Sequence, residues 1–280
     1  MNVSVVEDVA EFATAVEPVL ATDPTRHTIT ITALDAIRRG GAPVDLMLLA
    51  RDAGEVVGAA LRSPGRHLLV EALPARFAEA AADVVARVHP GIRGVTGPVP
   101  AAEEFARALA ARSGATYEVS DRNRLFELGE LVSPASVPGS ARLAGEEDVD
   151  LLAHWRDEFA VEAHEAGQVP VDSAAEVRRN LRLGCAEVVW EVDGVVVSQA
   201  TARPVLAGMS RIGPVYTPPE HRRHGYAAAV TAAASRWALD AGAARVLLFT
   251  DLSNPTTNAL YPRIGYRPVH DRVDLVLVPD

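Results

Sequence analysis

One loop of the sequence combines the features of an anion-binding site. A predicted strand ends at Thr217, prolines interrupt the next residues, and a long alanine-rich helix is predicted from Gly225. A helix start offers unpaired backbone N–H groups and the positive end of the helix dipole. Gly225 has no Cβ, so an anion can approach the main chain there, and Arg222 and Arg223 add donors that suit phosphate oxygens. The segment therefore predicts a diphosphate site.

A second segment places polar side chains on a short helix. Asn254 is a predicted N-cap, with Pro255 at the first helical position. Asn258 and Tyr261 are three residues apart and so share one face of that helix. Gly265 supplies the cap before the last predicted strand. An amide and a phenol are thereby presented together at the end of a buried-type strand.

The strand that leads into the predicted anion site contains Gly213 and Pro214. Proline cannot donate to the hydrogen-bond ladder of a sheet, so this pair suggests a β-bulge that parts the strand from its neighbour. The alternative is a strand at the edge of a sheet that simply meets a turn.

These segments together resemble the GNAT superfamily of N-acetyltransferases. Residues 222–227 (Arg-Arg-His-Gly-Tyr-Ala) match its pyrophosphate signature, which runs Gln or Arg, two residues, Gly, one residue, then Gly or Ala. Residues 254–266 resemble its C-terminal motif, in which an Asn precedes a short helix that carries Asn and Tyr. The resemblance implies that acetyl-coenzyme A is the cosubstrate. It also implies direct attack on the acetyl group by a primary amine of a small-molecule or peptide acceptor.

The resemblance implies roles for individual residues. The main chain of Val215, Tyr216 and Thr217 would hydrogen-bond the pantetheine arm of the cofactor in a splayed gap beside their strand. Tyr261 would be the general acid that protonates the coenzyme A sulfur, the alternative being a core aromatic residue. The other implied cofactor-binding residues are Arg222, Arg223, His224, Gly225, Tyr226, Ala227, Asn254 and Asn258.

The sequence does not identify the general base. Several candidates lie on or just after the first helix of the second half, where substrates of the resembled family commonly bind. The candidates are Glu158, Glu162, His164 and Glu165. Glu162 is preferred because it follows Phe159 by three residues and could share its substrate-facing side. Each candidate could instead be a solvated surface residue. Glu187 and Glu191 are weaker candidates, and a chain of water molecules could replace them all.

The predicted elements recur in two halves. A Ser-, Pro- and Ala-rich stretch predicts a linker over residues 131–140, between domains at 1–130 and 141–280. Each half contains a hairpin, strand, helix, strand, helix and strand, which suggests duplication, although alternation is common in α/β proteins. The predicted fold is α/β (α+β in some schemes). Two GNAT-like units each have a mixed, mostly antiparallel twisted sheet with helices on both faces, with a splayed strand in the second unit.

The first half lacks the motifs of the second. Its strand at residues 68–73 runs through Pro74 directly into a helix, without an Arg-x-x-Gly-x-Gly/Ala loop. The helix predicted at residues 101–112 has no tyrosine that corresponds to Tyr261. The first half therefore resembles a degenerate GNAT unit, kept for packing, for a substrate wall or for dimer formation.

Composition limits the remaining functions. The net charge of −10 disfavours general nucleic-acid binding, and no apolar run is long enough for a membrane span. Cys185 is the single cysteine and is expected to be inert, and no metal ligand set is predicted. We expect a cytoplasmic monomer or homodimer. The alternative function is a non-catalytic sensor of acyl-coenzyme A, and a preference for longer acyl chains is left open.

Overall fold

The computed structural model describes residues 1–162 and 172–279, which form two compact units. Unit 1 comprises Met1–Arg124, Asp251–Ser253 and Val269–Asp280, and unit 2 comprises Leu125–Thr250 and Asn254–Pro268. This division differs from the predicted domain boundaries, because the C-terminal residues group with unit 1. The linker predicted at residues 131–140 lies within unit 2.

Unit 1 follows the order strand, two helices, three strands, helix, strand, helix, strand. Its elements are β1 (Asn2–Val5), α1 (Val9–Thr22), α2 (Thr28–Arg38), β2 (Leu46–Asp52), β3 (Glu55–Arg62), β4 (Leu68–Ala72), α3 (Ala78–Val88), β5 (Gly94–Pro98), α4 (Ala101–Ser113) and most of β6 (Ala115–Leu128). Strands β1 to β4 pair antiparallel in sequence order, and β4 pairs parallel with β5. The C-terminal part of the last strand, at Arg272–Val276, pairs antiparallel with β5.

Unit 2 repeats the same order of elements. They are β7 (Ser140–Leu143), α5 (Val149–Glu162), α6 (Ser173–Arg182), β8 (Ala186–Val192), β9 (Val195–Ala202), β10 (Met209–Tyr216), α7 (Tyr226–Asp240), β11 (Arg245–Asp251), α8 (Pro255–Arg263) and the start of β12 (Tyr266–Pro279), the rest of which belongs to unit 1. Strands β7, β8, β9 and β10 pair antiparallel in that order, and β10 pairs parallel with β11. The recurrence predicted from the sequence is confirmed, and it extends to a strand and two helices at the start of each unit.

Helices cover both faces of the strands in each unit. In β2, Leu46 and Leu48 pack in the cluster of α3 and α4, whereas the intervening Met47 and Leu49 pack in the cluster of α1 and α2. Because successive side chains of a strand point to opposite faces, this apolar run needs cover on both sides. The mixed α/β fold with helices on both faces is thus confirmed.

Unit 2 uses the same alternation to separate two environments. Val188 of β8 packs with α7 and α8, and Val189 packs with α5 and α6. Tyr216, the last residue of β10, belongs to the α5 and α6 cluster. The end of β10 is therefore bordered by α5 on one face. Within residues 1–162 and 172–279, no helix is long and apolar enough to cross a membrane.

Candidate cofactor loop and acceptor face

Strand β10 leaves its neighbour halfway along its length. Its parallel pairing with β11 covers Met209–Ile212, and its register with β9 shifts between Ile212 and Val215. The bulge that Gly213 and Pro214 predict is therefore present at that position. The last residues of β10 follow the bulge, where the predicted pantetheine contacts of residues 215–217 lie.

The loop between β10 and α7 (residues 217–225) leaves a helix start exposed. Arg223 and Gly225 adopt left-handed backbone angles, with φ of +69° and +86°, and α7 begins at Tyr226. Gly225 is the N-cap residue and no side chain caps the helix, whereas the Asn254 side chain caps α8. Uncapped N–H groups beside left-handed residues form a concave anion-binding surface.

The space beside the Gly225 Cα is filled by the predicted linker. A Cβ at Gly225 would lie 3.1 Å from the Cγ2 atom of Val137. The linker is fixed there because the Trp190 indole N–H donates to the Pro138 carbonyl at 2.8 Å. Gly225 is therefore favoured by its φ angle, and a Cβ at this position would require a small shift of Val137. This contact could not be predicted, because Val137 is remote from the loop along the chain.

The Arg222 side chain hydrogen-bonds both Thr217 and Glu162, which were predicted to have different roles. Its Nε donates to the Thr217 carbonyl at 2.9 Å, and its Nη2 donates to both carboxylate oxygens of Glu162 at 2.7 Å. The preferred base candidate is thus ion-paired with a predicted phosphate ligand. Arg223 is exposed, and the His224 ring stacks on Tyr226 with centroids 5.4 Å apart.

The Tyr216 side chain reaches the carboxylates of α5. Its hydroxyl donates to Glu158 Oε2 at 3.1 Å and lies 3.4 Å from Glu162 Oε1. Its ring packs against Trp155 and Phe159, with centroids 6.1 and 6.5 Å away. Burial, and then the hydrogen bond to Glu158, raise the pKa of Tyr216 to about 12. The sequence predicted only a main-chain role for this residue.

The Tyr261 side chain lies in the apolar core between β-strands and α7. It is 6% exposed, and its ring is tilted against Phe126 and Tyr266 at 6.3 and 6.1 Å. Burial raises the pKa of Tyr261 to about 12, so its hydroxyl keeps its proton at neutral pH. Asn254 caps α8 as predicted, and the Asn258 Nδ2 donates to the Asn254 carbonyl at 2.7 Å.

The sequence profile of the acetyltransferase (GNAT) family matches residues 149–266. This segment, which contains the bulged strand and the exposed loop, is a GNAT domain. Its family and fold support acyl-coenzyme A-dependent acetyl transfer in general.

Solved structures support the same fold over a longer stretch. A GNAT-family acetyltransferase from Colwellia psychrerythraea is 12% identical and has a TM-score of 0.63, with 99% of this chain and 100% of that chain covered. A GCN5-related N-acetyltransferase from Kribbella flavida is 18% identical, with a TM-score of 0.59 and coverage of 91% and 96%. A tandem GNAT protein from the clavulanic acid biosynthesis pathway is 17% identical, with a TM-score of 0.56 and coverage of 89% and 87%. No curated protein matches the sequence. At these identities the likeness establishes the fold.

Two weaker base candidates in the GNAT domain are held by arginines. Glu187 is buried, accepts from Arg156 Nη2 and Thr201 Oγ1 at 2.6 Å each, and so forms an internal ion pair. Glu191 accepts from Arg142 Nε at 2.7 Å. These contacts indicate a structural role for both. His164 and Glu165 lie outside the described residues.

Gln199 is a buried polar residue that sequence reasoning missed. It is 0% exposed, and neither its Oε1 nor its Nε2 has a hydrogen-bond partner in the described part of the chain. It lies directly opposite Tyr216 in the antiparallel pair of β9 and β10, so both side chains share the α5 face. Buried amides almost always have partners, so this group indicates an additional polar molecule nearby. The one feature of the sequence that could have identified it is a glutamine at a position of a predicted strand that faces the interior.

Two other predictions concern reactive and metal-binding groups. Cys185 is buried, and burial raises the pKa of its thiol, which fits the predicted inertness. Across residues 1–162 and 172–279, no three His, Cys, Asp or Glu side chains are grouped as a metal site requires.

Proposed function

We propose that unit 2 transfers the acetyl group of acetyl-coenzyme A to a primary amine of a small-molecule or peptide acceptor. The observation that carries the proposal is the uncapped start of α7, which directly follows a bulged strand in a GNAT domain. We further propose that unit 1 is a degenerate GNAT-like unit without a cofactor site. Its repeated element order supports this assignment.

The proposed cofactor contacts are mostly made by the main chain. The N–H groups of residues 223–227 would hold the diphosphate, and the last residues of β10 would pair with the pantetheine arm. Asn254 and Asn258 would border the arm from α8. Arg222 would contribute charge next to the diphosphate while its Nη2 stays on Glu162.

The proposed chemistry has three requirements. The amine must be neutral to attack, the thioester carbonyl must be polarised, and the departing thiolate must be protonated. Tyr261 is proposed as the acid, because its raised pKa keeps the hydroxyl protonated until the thiolate forms. Glu162 was the preferred base from the sequence, and its ion pair with Arg222 makes it a weaker acceptor for a substrate proton.

The burial of Tyr261 favours a second candidate, a non-catalytic sensor of acyl-coenzyme A. Such a protein would bind the cofactor through the same loop but would not need an accessible acid. The two functions differ in one measurable respect, which is turnover.

The test is release of free thiol from acetyl-coenzyme A in the presence of a panel of primary amines and short peptides. Calorimetric titration of acetyl-coenzyme A measures binding in the same preparation. We expect binding together with amine-dependent thiol release. Tight binding without release from any amine would contradict the enzyme and support the sensor. A parallel series with longer acyl chains measures the acyl preference.

A further inference from the structure

The two carboxylates next to Tyr216 have different partners. Glu162 is held by both of its oxygens on Arg222 and is 46% exposed. Glu158 is 38% exposed, accepts from the Tyr216 hydroxyl and lies 3.5 Å from His154, one helical turn earlier. A carboxylate whose two oxygens both accept from one arginine nitrogen is a poor proton acceptor, because protonation would break that ion pair. Glu158 is therefore better suited than Glu162 to receive a proton.

Tyr216 connects Glu158 to the proposed cofactor arm. Its main chain ends β10, next to the residues proposed to pair with pantetheine, and its hydroxyl lies on the α5 face. A phenol can accept a proton on oxygen while it donates its own along an existing hydrogen bond. The geometry supplies that second hydrogen bond already, from Tyr216 to Glu158.

Gln199 gives an independent indication that a polar molecule occupies this face. Its side chain is fully buried opposite Tyr216, with both amide atoms unpartnered among the described residues. An ordered water or a polar atom of the acetyl acceptor beside Tyr216 would satisfy the Gln199 amide.

We propose that Tyr216 and Glu158 form the proton path of the acetyl transfer, with the Tyr216 hydroxyl touching the acceptor ammonium. Glu162 then acts as a positioning residue that fixes Arg222 in the loop. This inference rests on the proposed function and names the acceptor class as an amine that binds as a cation.

Two protons leave the acceptor nitrogen during the transfer. The ammonium gives one proton to the Tyr216 oxygen as the Tyr216 proton passes to Glu158, so no free tyrosinate forms. This concerted order agrees with the pKa of Tyr216, which is raised to about 12. The neutral amine then forms the C–N bond, the C–S electron pair leaves as thiolate, and the second nitrogen proton neutralises the thiolate, through Tyr261 in the proposed function. Glu158 returns its proton to solvent.

The charged groups that face this path decide its pH dependence. On α5 they are Glu158, Glu162 and His154, and on the β10–α7 loop Arg222 faces the Tyr216 ring, with its Cζ 5.9 Å from the centroid. Loss of the Glu158 charge removes the proton acceptor. It leaves the Arg222–Glu162 pair intact.

The experiment measures kcat/KM for thiol release, with acetyl-coenzyme A and an amine accepted by the wild type, from pH 6 to pH 10. The variants are Glu158→Gln, Tyr216→Phe, the double variant, Glu162→Gln and, as a matched control, Asp150→Asn on the exposed side of α5. We expect Glu158→Gln and Tyr216→Phe to lose roughly 100-fold at pH 7 and to recover at high pH, where the amine is already neutral. The double variant should be no slower than Glu158→Gln. Asp150→Asn should match the wild type.

Several results would overturn the proton path. One is a neutral-pH rate of Glu158→Gln equal to that of the wild type. Another is an equal loss at every pH with unchanged calorimetric affinity for acetyl-coenzyme A, which indicates a structural role. A third is recovery at high pH in Glu162→Gln instead of Glu158→Gln. A wild type that binds acetyl-coenzyme A but acetylates no amine would overturn the proposed function itself, and the path with it.

Discussion

The two units contain the same elements in the same order, but they differ at the junction between the fourth strand and the third helix. In unit 1 the chain passes from β4 through Pro74 into a single 3-10 turn at Ala75–Phe77, and the Phe77 side chain is fully buried at the start of α3. Pro74 packs so closely on Gly58 that a Cβ at Gly58 would clash with the Pro74 Cδ atom. In unit 2 the corresponding loop is exposed and ends at the left-handed Gly225. The start of the third helix is therefore exposed in unit 2 and packed with side chains in unit 1.

Buried acids differ from exposed acids in the same way. Glu71 of unit 1 is buried and accepts from the Thr30 N–H and hydroxyl at 2.8 and 2.9 Å, which satisfies the start of α2. Glu187 of unit 2 is buried with Arg156. Both carboxylates therefore have structural roles in the interior. The side chains of Glu158 and Glu162 on α5 are instead partly exposed.

The largest effect that we expect comes from Gly225→Glu. The substitution places a side chain at φ +86°, against Val137, and brings negative charge to the proposed diphosphate site. Acetyl-coenzyme A affinity in calorimetric titration should fall by ~100-fold or more, which is about 2.7 kcal/mol. Gly242→Glu is the matched control, because Gly242 follows the other end of α7 with φ +91°. If both variants lost the same affinity, or if Gly225→Glu lost none, the exposed junction of unit 2 would not be the cofactor site.

The next effect concerns Tyr261→Phe, which removes the proposed acid without changing the packing of the ring. We expect kcat to fall by roughly 10- to 100-fold with little change in acetyl-coenzyme A affinity. Tyr266→Phe is the control, since it deletes a buried hydroxyl that is hydrogen-bonded to Ser235 at 2.7 Å in the same core. An unaltered kcat in Tyr261→Phe would make Tyr261 a core aromatic residue and would favour the sensor.

A smaller effect is expected from Val137→Ala. Because Val137 packs at Gly225, its truncation should loosen the loop and weaken acetyl-coenzyme A binding by roughly 3- to 10-fold. Val132→Ala, in an exposed part of the same linker, should not. A sharper test combines Val137→Ala with Gly225→Ala. In this double variant the smaller side chain at position 137 leaves room for the Cβ added at position 225. Strict additivity of the two affinity losses would show that the contact does not position the loop.

The smallest effect that we expect is on the pH dependence of the stability of unit 1. His270 is half-buried, and burial, followed by the charges of Arg26 and Arg272, lowers its pKa to about 4. Because the folded pKa lies below the unfolded value of about 6.5, the unfolded state binds more protons and stability is lost as pH falls from about 6.5 to 4. His270→Asn should reduce that loss by on the order of 1 kcal/mol after solvent screening. Denaturation curves with the same pH slope in both proteins would contradict this account.

The sequence predicted features that depend on local chemistry. The N-cap at Asn254, the bulge after Ile212 and the repeated element order follow from residue type and short spacing, and all are present. The grouping of residues 269–280 with unit 1 was missed, because the alternation of side chains in a strand does not determine which strands it pairs with.

The side-chain contacts of the candidate site were also missed. Val137 meets Gly225 and Tyr216 meets Glu158 from elements more than 50 residues apart along the chain. Local periodicity carries no information about such pairs, since tertiary packing brings them together. For the same reason the ion pair between Glu162 and Arg222 could not be predicted, although both residues were candidates.

The most direct test of the central claim is the amide chemical-shift change in a ¹⁵N–¹H correlation spectrum during titration with coenzyme A. The account predicts that the N–H groups of residues 223–227 shift strongly and saturably. It also predicts that the N–H groups of residues 75–79, at the packed junction of unit 1, do not move. Unchanged amides at 223–227, or equal shifts at both junctions, would contradict the assignment of the cofactor to the exposed start of α7.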